Sequence, residues 1–147
     1  MTKIGKILKI ILIICTILFI PIVIIIPYTI KAIVFSNFII YPNSIIMFLI
    51  DIQFIKLFKS LEEDNPFCKN NILILRRASI YSFIMTIFWI IDSLILYFLC
   101  NCTYINYYIV IAFLTVLFFG VGVALYILSK LFSKAYTYKE ENDLTIW

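Results

Sequence analysis

Histidine is absent from the 147 residues. Its absence removes the usual general base, the imidazole proton relay and the commonest metal ligand together. Cysteine is sparse: Cys15, Cys68, Cys100 and Cys102 include no CxxC pair, so neither a zinc site nor a dithiol redox centre is expected. Cys100 and Cys102 read as two small apolar residues near a helix end; a strained disulfide between them is the alternative. Charge is scarce too, at 14% against about 25% in ordinary globular chains. The charges are clumped, and 65% of the residues are hydrophobic. A soluble core of this length could not hide so much Ile and Phe, so lipid is the solvent for most of the chain. No catalytic residue, cofactor or metal is expected, because no nucleophile, relay or redox constellation can be assembled.

What is present is a set of long apolar runs. Lys9 and Lys31 bracket the uncharged stretch "IILIICTILFIPIVIIIPYTI". A helix needs about 20 apolar residues to cross a bilayer, so residues 10–30 form the first predicted span. Lys3, Lys6 and Lys9 give it a basic start, but no small-x-small cleavage site follows, and it reads as an uncleaved signal anchor. Pro21 and Pro27 predict a kink or an end in its outer half. Further spans are predicted at 37–55, 78–99 and 108–128. The expected fold is an all-α membrane protein, four transmembrane helices in a compact bundle, with a 56–77 loop and a 129–147 tail.

The basic residues orient these spans. Four crossings put both termini and the 56–77 loop on one side, which then holds eleven of the twelve bases, Lys31 alone lying opposite. The positive-inside rule predicts that this side is cytoplasmic. Tyr104, Tyr107 and Tyr108 suit the outer interface.

In the loop, "SLEE" (Ser60 to Glu63) reads either as a capping box or as a polar turn trailing off the second span. Asn65-Pro66 breaks any helix there, and a new one is expected to start within 66–71, capped by Asn65 or Asn70. In the tail, Leu128, Leu131, Phe132, Ala135 and Tyr136 keep nearly helical spacing, so the fourth helix is expected to continue beyond the membrane. Asn142 is the expected stop, leaving Asp143 to Trp147 as an extended stub.

Two acids fall within spans, and intramembrane ionisable groups are functional candidates by default. Asp51 lies five residues before Lys56 and is expected to pair with Arg76 or Arg77, or to reach water. Asp92 lies deeper, with Lys31, Ser93, Asn37, Asn43 and tyrosine hydroxyls as possible partners. Small residues predict helix contacts: Ala78, Ser82 and Thr86 on the third span, Gly120, Gly122 and Ala124 on the fourth. Packing within one chain is the simpler reading of these, and a homodimer interface the alternative.

The closing "KEENDLTI" (Lys139 to Ile146), after a helix bearing Ala135, resembles the signature of domain-of-unknown-function family 2975. The loop agrees, with Leu57-Phe58, "NPF" at Asn65, Pro66 and Phe67, then Asn71 and "LRR" at Leu75 to Arg77. The resemblance implies a small bacterial four-helix membrane protein of the plasma membrane. It implies no activity; such proteins are often encoded beside a small helix-turn-helix regulator. The leading expectation is therefore a non-enzymatic regulatory protein. Asn65, Pro66, Phe67, Asn71, Glu141, Asn142, Asp143, Leu144 and Thr145 would contact a soluble cytoplasmic partner, with no direct binding of nucleic acid. A small transporter or channel using Asp92 is the alternative, and immunity to a membrane-active peptide is left open.

Overall fold

The computed structural model describes the backbone of residues 2–29, 33–62, 68–100 and 105–145, with side chains at 5–21, 23–24, 41–60, 68–98 and 108–142. Four helices account for nearly all of it: α1 (Thr2–Thr29), α2 (Ile33–Glu62), α3 (Lys69–Cys100) and α4 (Ile105–Thr145). Segments Tyr41–Ser60, Lys69–Phe98 and Tyr108–Asn142, in α2, α3 and α4, are long and apolar enough to cross a membrane.

Polar and hydrophobic residues have traded places relative to a soluble protein. Among the described residues nine buried side chains are hydrophobic and nine are polar or charged, while Ile, Leu and Phe crowd the exposed faces. In lipid there is no gain from hiding apolar surface, so helices associate through close packing and hydrogen bonds instead. The interior of α3 shows how the hydroxyls are satisfied. Ser82 Oγ donates to Ala78 O and Thr86 Oγ1 to Ser82 O, each at 3.0 Å. Such bonds to the preceding turn pair these two hydroxyl hydrogens where water is absent.

The prolines interrupt less than the sequence predicts. Pro21 and Pro27 both lie inside the continuous α1, and Pro42 lies inside α2. An apolar surrounding penalises every freed backbone group, so bending around a proline costs less than ending the helix.

Contacts between neighbours fix an antiparallel order. Phe19 meets Phe48 edge-on at 6.2 Å between α1 and α2. Ser79 Oγ donates to Gly122 O at 2.8 Å and Ser129 Oγ to Ile72 O at 3.2 Å between α3 and α4. Side chains of α2, α3 and α4 share two clusters: Ile46, Ile50 and Met85 with Phe118 packed against them, and Leu75, Ala78 and Leu125 with Phe54 and Leu57. Helix α1 contributes no described side chain to either cluster and packs on α2. Among the described residues the close backbone approaches are α1 to α2, α2 to α3 and α3 to α4. The helices thus pack in chain order as an open row, which differs from the compact bundle expected from the sequence.

Candidate functional site

Helix α3 begins where Cys68 ends the loop: Cys68 O accepts from Asn71 N at 3.0 Å and Ile72 N at 3.4 Å. The start falls within the expected window, but Cys68 holds the capping position and Asn70 is an exposed residue inside the helix. Ser60 belongs to α2, which runs to Glu62, so "SLEE" starts as a polar turn of that helix. Ser60 Oγ lies 3.7 Å from Cys68 Sγ and ties the two helix ends together.

One intramembrane acid is held between α2 and α3. Asn43 Nδ2 donates to Asp92 Oδ2 at 2.5 Å, and both residues are buried, Asp92 being 3% exposed. Of the expected partners among the described residues, Asn43 is the one the fold brings to this carboxyl. The other acid faces elsewhere: Asp51 Oδ2 accepts from Thr16 Oγ1 at 3.3 Å, joining α2 to α1. Arg76 and Arg77 are exposed on α3 and make no ion pair among the described residues. The expected pairing of Asp51 with them fails because Asp51 lies on the face of α2 turned to α1. Ile46 and Ile50 occupy the face of α2 turned to α3, against Met85.

Asn71 is completely buried, so its expected contact with a soluble partner is not available. Asn65, Pro66, Phe67 and Lys31 lie outside the described residues. Glu141 and Asn142 are exposed near the end of α4. That helix continues through Asp143, Leu144 and Thr145, past the stop expected at Asn142. A run without glycine or proline can simply extend the helix, which asparagine tolerates.

The small residues divide between two faces. Ala78, Ser82 and Thr86 are buried. Gly122 is buried too, and a Cβ there would lie 3.0 Å from the Phe83 ring. Gly120 and Ala124 face outward, and a Cβ on Gly120 would meet nothing within 4 Å. Within this chain the α3 contact runs instead through Gly122, about 160° around the helix from Ala124 at 100° per residue.

Gln53 escaped the sequence reading. It is 5% exposed and its Oε1 has no hydrogen-bond partner. A polar amide ten residues from Asn43 within an apolar run was the available signal. A cleft of about 300 Å³ opens between α3 and α4, lined by Ile90, Ser93, Leu94, Tyr108, Ile111 and Thr115 among others. Thr115 Oγ1 is committed to Ile111 O at 2.8 Å, and the lining offers few polar groups to orient a ligand.

Beyond Phe132 helix α4 runs past the start of α3. Ile72 stands opposite Ser129, and the same register sets Lys69, the first residue of α3, opposite Phe132. Ser133 to Thr145 therefore extend beyond α3, by about 20 Å at 1.5 Å per residue. Tyr136 Oη donates to Glu140 Oε1 at 2.5 Å along this exposed stretch.

Neither the curated proteins nor the solved structures yield a match to the chain. The family described as protein of unknown function (DUF2975) matches residues 8–146, and with nearly the whole chain covered, the protein belongs to that family.

Proposed function

We propose that the protein is a non-enzymatic regulatory component of the bacterial plasma membrane, docking a soluble protein on its cytoplasmic side. In this reading α1 crosses the bilayer as the other three helices do, and both termini lie in the cytoplasm with the basic residues. The observation that carries it is the projecting end of α4, a helical segment that runs past the first residue of α3 with Glu141 and Asn142 exposed. A partner binding a preformed helix loses less conformational entropy than one that must order a disordered tail. A small helix-turn-helix regulator is the partner that the family resemblance favours.

Affinity capture with the full chain in detergent, against a chain ended after Lys139, tests this. The shorter chain keeps every membrane segment and should lose the partner; equal capture by both would remove the end of α4 as the docking site. A transport role is the second reading, favoured by the buried Asn43–Asp92 pair between two membrane helices. Unchanged flux through Asp92→Asn in reconstituted vesicles would eliminate it.

A further inference from the structure

We infer that Arg76 and Arg77 form a binding site for the phosphate of an anionic phospholipid at the basic rim of the membrane domain. Leu73, Arg76, Arg77 and Ile80 follow one another at helical spacing on the outward face of α3. Both leucine and isoleucine are well exposed, at 47% and 49%, and Ile87 continues the stripe at 55%. Two arginines thus interrupt a surface that is otherwise suited to acyl chains. Neither has an ion pair or hydrogen bond among the described residues, and the two intramembrane acids are engaged by Thr16 and Asn43.

Depth determines what these guanidinium groups meet. Ala78 to Phe98 is a stretch of 21 residues, which at 1.5 Å per residue matches the roughly 30 Å of hydrocarbon. The arginines sit immediately at its edge, in the layer of lipid phosphates. An arginine presents a planar fork of donors that fits a phosphate two-pronged, which a lysine cannot do. Selectivity for anionic over zwitterionic lipid comes from added positive charge nearby. The Asn43–Asp92 register sets Lys59 level with Arg76 on the neighbouring helix, and Lys56 is exposed one turn further along α2. This site is independent of the docking end of α4.

The test is native mass spectrometry of the full chain released from mixed phosphatidylglycerol and phosphatidylcholine nanodiscs. Wild type should retain phosphatidylglycerol preferentially, and Arg76→Gln/Arg77→Gln should reduce that retention on the order of tenfold. Lys134→Gln/Lys139→Gln removes the same charge from the projecting segment and should change retention by less than about twofold. No preference in wild type, or a loss in the arginine variant no larger than in the lysine variant, overturns the site. Should the arginine variant fail to fold, thermal unfolding of wild type in detergent decides. A rise in Tm on adding phosphatidylglycerol and not phosphatidylcholine supports the site, and equal effects of the two lipids refute it.

Discussion

Asn43→Leu should destabilise the protein by about 1–3 kcal/mol, the cost of leaving a buried polar group without its partner. The affected group is Asp92, which sits between α2 and α3 with Asn43 Nδ2 as its donor. Lipid offers no replacement, and the carboxyl is too far inside the helix pair to reach headgroups. The decisive comparison is with Asn43→Leu/Asp92→Leu. Replacing both partners by apolar residues removes the unpaired group along with the bond, so the double variant should be more stable than Asn43→Leu alone. Thermal unfolding in detergent would measure wild type, Asn43→Leu, Asp92→Leu and the double variant. A double variant whose loss equals the sum of the two single losses would show that the two side chains do not act as a pair.

The second large effect concerns a single methylene position on α4. Gly122→Leu should cost about 1–3 kcal/mol, because a side chain there must displace the Phe83 ring from a close-packed contact. The same substitution would also push α4 away from Ser79, whose hydroxyl reaches the Gly122 carbonyl at 2.8 Å. Gly120→Leu, two residues away, meets open space and should be neutral or stabilising by up to about 1 kcal/mol through helix propensity. Unfolding of the two variants under the same conditions checks the contrast. Equal losses would mean that α4 turns its other small-residue face toward α3.

These two experiments mark how far the sequence could be read. It contained the helices themselves, since charge-free runs between basic clusters admit no other structure in lipid. It contained the candidate acids as well, and Asn43 among the possible partners of Asp92. It did not contain the choice between Asn43 and Ser93, nor the pairing of Asp51. One residue of rotation about a helix axis moves a side chain by 100°, and apolar residues on every face leave that rotation unmarked. In a soluble protein a hydrophobic stripe would have identified the inner face. Here Ile and Phe cover the outside, and the inner face is spelled by scattered small and polar residues such as Ser79, Ser82, Thr86 and Gln53.

The same reasoning separates Gly120 from Gly122 and explains why the open row was not foreseen. Short sequence spacing made both glycines equal candidates, and helices of bilayer length are equally compatible with a row or a closed bundle. By itself the sequence determined that the chain belongs in a membrane, where its helices run and which family it belongs to, because composition and motif order survive without coordinates. The tertiary structure alone decided which carboxyl meets which partner, which glycine carries the α3–α4 contact, that Asn71 is buried, and that the end of α4 runs past the start of α3. Those outcomes depend on helix rotation and register, which are set by packing across helices and leave no local trace along the chain.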